Sequence, residues 1–324
     1  MRVSLIQADP ITEAKMPNIA LMKLSSYHKS QGDTVGMNLT HPDLMYISCV
    51  FSKNLPQAYG IPSMYPGVEY LVGGPALGVP NHLPDYAEHL MPDYTLYDID
   101  YSIGKTQVGC INNCGFCIVH KLEPVFKEYA EIKEFHHPDH RKIVLYDNNF
   151  LASTLYQTKL DYINENGLKV NFNQGLDARL VDEKAAGALA DTKAYNFHFN
   201  HRYYHFAWDL VENSERILQG LENMINAGVS PRNLMVYVLV GYNSTHQQDW
   251  DRVEKLIDMK MDPFIMKYNH RKDDTFLNHL ARWCNQPALR KKFSFKDYDR
   301  LSRADQVEVS KISINKQIKR MSEQ

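Results

Sequence analysis

Apolar positions in the first hundred residues come in short runs. Arg2-Val3-Ser4-Leu5-Ile6 reads as a first strand. Over 17–29, Ile19, Met22, Leu24 and Tyr27 fall near helical spacing, Pro17 suits the opening turn, and Gln31-Gly32-Asp33 breaks the pattern. Strands are then expected at 34–37, 44–51 and 70–72, the last ending in Gly73-Gly74-Pro75. This order predicts a small parallel α/β unit. Residues 75–100, rich in Pro and Asp, read as a surface linker.

From residue 104 the alternation becomes regular. Strands are expected at 104–109, 143–147, 169–173, 194–199, 234–241 and 263–268. Helical patterns lie between them near 126–135, 153–166, 181–190, 212–227 and 246–259. Six β/α repeats predict a parallel sheet, open or curled into a partial barrel. Right-handed crossovers would place the loops after the strands at one end, where such folds gather their ligand sites. The expected division is a small α/β domain over 1–100, a β/α domain over 101–284 and a basic extension over 285–324. That last stretch holds ten Lys and Arg against five Asp and Glu. It suits a phosphate contact or, more plainly, a solvated helical face.

The whole chain has 324 residues and a formal charge of −2, so charge alone makes no case for nucleic acid or a membrane surface. No apolar stretch approaches about 18 residues, and the start, MRVSLIQADP, lacks a secretory pattern. A cytoplasmic protein is the expectation. Five cysteines is an odd number, and three of them crowd into eight residues, which argues for metal or cluster ligation rather than disulfides. Cys49 lies in an apolar run and reads as a buried thiol. Cys284 follows Arg282-Trp283 and reads as a candidate radical relay.

Cys110-Ile-Asn-Asn-Cys114-Gly-Phe-Cys117 follows directly on the first strand of the regular series. Three thiolates at this spacing can hold three irons of a cubic cluster and leave the fourth open. The motif, with Phe116 at its aromatic position, resembles that of the radical S-adenosylmethionine superfamily. The resemblance covers most of residues 1–285. Downstream, Tyr146-Asp147-Asn148-Asn149-Phe150, the stretch from Phe172 through Gln174 and Asp177 to Arg179, and Val240-Gly241-Tyr242-Asn243 look like strand-end segments of the subgroup with a cobalamin-binding-like N-terminal domain.

The resemblance implies a partial (β/α)6 barrel, a 4Fe–4S cluster on Cys110, Cys114 and Cys117, and reductive cleavage of S-adenosylmethionine to a 5′-deoxyadenosyl radical. A flavodoxin- or ferredoxin-like electron donor would follow. It places Phe116 and Gly241 near adenine and gives Asp147, Asn148 or Asn149 the cofactor's amino group. The family's Gly-Gly-Glu segment is missing at that strand end. Arg179 is a candidate for the methionyl carboxylate, and Gln174 or Asp177 for ribose hydroxyls. The plainer readings are Asp and Asn as helix caps and an Asp177–Arg179 surface pair.

His198-Phe-Asn-His201-Arg-Tyr-Tyr-His205, Trp208-Asp209 and Tyr268-Asn269-His270-Arg271 are candidate substrate contacts. The Asp-x-His-x-x-Gly signature for cobalt ligation is absent around His28, so the N-terminal unit reads as vestigial for cobalamin or as a cover for substrate. Two alternatives stay open: a cobalamin-dependent radical methyltransferase, and a non-catalytic zinc or iron–sulfur module on nucleic acid. In the zinc version His120 would complete a Cys3His set.

Overall fold

The structure, a computed structural model, describes residues 1–270, 272–301 and 305–311. By its internal contacts the chain divides into two compact units, residues 1–174 with 192–200, and residues 175–191 with the described residues from His201 onward. The chain is mixed α/β with parallel sheets, as the alternation predicts.

The first unit opens with a four-stranded parallel sheet. Its strands are β1 (Arg2–Gln7), β2 (Thr34–Met37), β3 (Leu44–Ser48) and β4 (Glu69–Gly73), in the order β2-β1-β3-β4. The apolar runs of β1 and β3 form its buried centre, because helices and turns cover the sheet. The helix Ile19–Ser30 is capped by Asn18, whose Oδ1 accepts the Leu21 N–H at 3.2 Å. Leu21 and Leu24 on that helix pack against Val3, Leu5 and Leu44. Burying each such leucine contributes roughly 1.5–3 kcal/mol.

Residues 75–100 are not a bare linker. They hold short helical turns and pack into the core. Ala87 and Tyr94 are buried, and the Tyr94 hydroxyl donates to Phe135 O at 2.5 Å while accepting the Ile103 N–H at 3.0 Å. Composition favoured a loop; three or four well-placed apolar side chains make it a packed strap.

A second parallel sheet in this unit joins β5 (Ser102–Gly104), β8 (Lys142–Leu145) and β9 (Lys169–Phe172). The expected strand 104–109 is thus split. β5 ends at Gly104, and β6 (Gln107–Val108) turns away to pair antiparallel with β7 (Lys127–Glu128). That pairing also replaces the helix expected near 126–135. Tyr129 and Ala130 donate their N–H groups to Thr106 O, and only a 3-10 turn, Ile132–Glu134, remains. The expected strand 194–199 is irregular too. One bridge joins Ala194 to Val170, Phe199 takes φ +56°, and the Asn196 side chain accepts the Asn200 N–H. Asn side chains compete with ladder bonding in this way.

The second unit holds the parallel sheet β10 (Tyr204–Trp208), β11 (Leu234–Val240) and β12 (Asp262–Lys267). β10 is the strand that the reading of 194–199 displaced. The helices Ser214–Asn226 and His246–Asp258 connect these strands. Gly220 lets the first of them lie against the 178–180 turn, where an added Cβ would stand 1.8 Å from Ala178 O.

The start of the expected basic extension also packs. Leu289, Phe295 and Tyr298 are buried, the Trp283 Nε1–H donates to Phe293 O at 3.0 Å, and Arg290 pairs with Asp262. Arg303, Lys316, Lys319 and Arg320 of that extension, and Arg271, lie outside the described residues. Among the described residues no helix is long and apolar enough to cross a membrane.

Candidate functional site

Three strand ends of one sheet carry most of the expected residues of the first unit. Parallel pairing aligns Gly104 with Leu145 and Leu145 with Phe172. The chain therefore leaves β5, β8 and β9 on the same side, towards Cys110, towards Asp147-Asn148-Asn149, and towards Gln174. Tyr146 N–H to Gly104 O at 2.8 Å and Asn173 N–H to Leu145 O at 3.0 Å continue the ladder to that edge.

Asp147 is 3% exposed and organises the turn after β5. Its Oδ1 accepts the Thr106 N–H (2.8 Å), the Thr106 hydroxyl (2.6 Å) and the Gln107 N–H (2.9 Å). Oδ2 is buried without a hydrogen-bond partner. Burial pushes the carboxyl up, opposed by these donors. This aspartate thus holds the backbone that leads into the cysteine loop.

A second carboxylate does the same from the other side. Glu123 Oε2 accepts the Gly109 N–H at 2.7 Å and the Asn148 amide at 2.7 Å, while Oε1 pairs with Lys105 Nζ at 2.6 Å. Burial pushes the Glu123 carboxyl up, but Lys105 and the two further donors outweigh it and hold it below the usual range. Glu123 and Lys105 escaped sequence reasoning because neither sits in a motif; only their partners on the loop and strand end give them a role.

Gly109 is required where it stands. It takes φ +74°, and a Cβ there would come within 2.5 Å of Val125 O. Beyond it Cys110, Cys114 and Cys117 are half-buried and form no disulfide. The Cys117 N–H donates to Cys114 O at 2.9 Å, which places these two on one turn. Cys110 Sγ lies 3.4 Å from Asn112 N and 3.8 Å from Asn149 Nδ2.

Among the described residues no group of three or more His, Cys, Asp or Glu side chains is gathered to hold a metal ion, and His120 does not complete such a set. The donor chemistry nonetheless fits a sulfur-ligated cluster. Three uncrosslinked thiols share one short loop, and that loop is anchored at its base through the Gly109 N–H on Glu123. Phe116 lies within the loop.

In the second unit Asp177 and Arg179 pair with each other, though partly buried rather than on the open surface. Arg179 Nε and Nη2 donate to Asp177 Oδ1 and Oδ2 at 2.8 and 2.6 Å. At the end of β11 the Gly241 N–H donates to Asp249 Oδ2 at 3.0 Å. Asp249 Oδ1 accepts from Arg252 at 2.6 Å, and Arg252 also donates to Trp208 O and Leu239 O at 2.7 and 2.8 Å. This buried knot fixes the ends of β10 and β11 and was not legible beforehand. Beside it burial drives the Asp209 carboxyl up to about 6, against Arg252 and Arg179.

His205 belongs to β10 rather than to a loop. It stacks on Tyr237 at 6.0 Å, and burial pushes it down to about 4, so it is a neutral core histidine at pH 7. Trp208 is likewise core, its Nε1–H donating to Ser214 Oγ at 3.2 Å. Cys49 is buried as expected. Cys284 is also buried, 3.4 Å from Pro263 O, and burial pushes its thiol to about 12. Compared with known proteins, the chain matches no family model and no curated protein.

Proposed function

We propose that this chain is a radical S-adenosylmethionine enzyme. The observation that carries the reading is one loop with three cysteines outside any disulfide, leaving a parallel sheet at the same edge as a run of Asp and Asn, with Glu123 tying the two together. A partial (β/α)6 barrel made of β5, β8, β9, β10, β11 and β12 is part of the same proposal. Its support is that each sheet is parallel and that helices intervene in chain order.

In this reading Cys110, Cys114 and Cys117 hold three irons of a 4Fe–4S cluster, and the fourth is left for S-adenosylmethionine. When bound, the pair supplies a 5′-deoxyadenosyl radical after one-electron reduction by a flavodoxin- or ferredoxin-like donor. Cys110, Cys114 and Cys117 would be the residues that hold the metal, and ligation would order their loop. The Asn149 side chain and the Asn112 N–H donate to Cys110 Sγ and orient that side chain. Glu123 and Asp147 fix the base of the loop. Asn148 and Asn149 present side-chain oxygens for an ammonium group, whereas Asp147 is committed through Oδ1 to the turn before the loop. Arg179, Asp177, Gln174 and Gly241 remain the proposed contacts for the rest of the cofactor.

Anaerobic reconstitution with iron and sulfide tests this. About four irons per chain and formation of 5′-deoxyadenosine on reduction would support it. Stoichiometric zinc that resists replacement by iron would refute it.

A further inference from the structure

The N-terminal sheet carries a cavity of about 790 Å3. It runs along β3 and β4, from Leu44 and Glu69 to Ser48 and Gly73, and reaches the carboxyl end of β1 at Gln7, where the order β2-β1-β3-β4 reverses direction from the first strand. Such a switch point leaves a crevice above the sheet, and open α/β sheets bind ligands there. Gln7, Ser48 and Gly73-Gly74 line it from the strand ends, and Asn18 braces it by donating to Ser48 Oγ at 2.7 Å. Its far end reaches Lys105, Glu123 and Tyr146. The cavity therefore ends on the carboxylate that holds the Gly109 N–H beside Cys110.

Two observations define what fits. Phe51, Leu71, Val79 and Tyr86 on its lining are 40–54% exposed, a cluster of large apolar side chains left uncovered. Contiguous exposure of this kind marks a binding surface rather than ordinary scatter. The charged lining is Glu13, Glu69 and Glu123 against Lys15 and Lys105, with no arginine. Lys105 is already paired with Glu123, and carboxylates outnumber lysines on the lining, which disfavours phosphate or a polycarboxylate there. The volume lies in the range of about 300–1,000 Å3 of pockets for drug-sized molecules.

We propose that this cavity binds a neutral, largely apolar small molecule with a few hydrogen-bonding edges, and that this molecule is the enzyme's substrate. The identification as substrate rests on the function proposed above; the existence and chemistry of the site do not. Amide and hydroxyl groups of Gln7, Asn18, Ser48 and Asn81 orient the ligand, and the apolar rim supplies most of the burial.

The test uses the full chain without iron, so that it stands even if no cluster forms. The neutral fluorophore 1-aminoanthracene should bind saturably at one site per chain with enhanced emission. Leu71→Glu, on the half-exposed face of β4, should weaken binding at least tenfold, whereas Tyr59→Ser, exposed but outside the lining, should leave it unchanged. Inorganic pyrophosphate should not displace the dye. Absence of saturable binding, equal affinity in Leu71→Glu, or displacement by pyrophosphate would overturn the proposal. Displacement by stoichiometric hydroxocobalamin would also overturn it, assigning the cavity to a corrinoid instead.

Discussion

Single carboxylates decide much of how this chain behaves. Asp209 has an ordinary value of 3.8 and is raised to about 6 by burial. The folded chain binds that proton more tightly than the unfolded chain does. Its contribution to stability is therefore full below about pH 3.8 and is lost as pH rises through about 6. Asp209→Asn, neutral at every pH, should raise stability at pH 8 by up to about 3 kcal/mol and change little at pH 3.5. Urea midpoints at the two pH values measure this; no gain at pH 8 would mean that the carboxylate is well compensated where it stands.

Glu123 makes the opposite case, since its ionised form is the one the structure uses. Glu123→Gln should cost about 1–3 kcal/mol, because Lys105 loses a partly buried partner. It should also lower iron retention after reconstitution, which a merely structural loss elsewhere would not do. Adding Lys105→Met should recover part of the stability and none of the iron retention. Neither residue was legible in the sequence. The three cysteines were, because spacing alone brings thiols onto one loop, whereas a glutamate's role depends on what the fold brings to it.

Among the elements, the continuous apolar runs were read correctly. Ile143-Val144-Leu145 and Leu234 to Val240 are buried strands wherever they sit, and the four strands of the first sheet fall close to where they were expected. Errors came where a short pattern served two structures. Phe126, Tyr129, Ile132 and Phe135 recur every three residues, yet Lys127–Glu128 pairs with β6, because Thr106 and Val108 provide partners that the sequence does not announce. Tyr204-His205-Phe206-Ala207-Trp208 alternates like a strand, but its histidine drew it into a functional reading.

Two glycines test the packing of elements directly. Gly220→Ala would drive a Cβ against the Ala178 carbonyl and should destabilise the second unit by about 1–3 kcal/mol or more, read as a lower urea midpoint. Gly109→Ala adds a positive-φ penalty to a backbone clash at the root of the cysteine loop. It should reduce cluster loading more sharply than global stability. Full loading in Gly109→Ala would show that the loop's path does not matter for metal binding.

At the scale of the whole molecule, the sequence pointed to a parallel α/β protein, and the sheets bear that out. The strap over 75–100 and the packed start of the final stretch were missed for one reason: isolated buried residues such as Tyr94 and Phe295 carry no periodic signal. The proposed activity depends on Cys110, Cys114 and Cys117 acting together on iron. The most direct measurement is 5′-deoxyadenosine formed by the anaerobically reconstituted, reduced chain, beside iron content, in the wild type and in each cysteine-to-alanine variant. About four irons and measurable product are expected in the wild type, with product abolished in all three variants. Iron-loaded wild type that never cleaves S-adenosylmethionine, or variants that cleave it as well as the wild type does, would contradict the proposed activity.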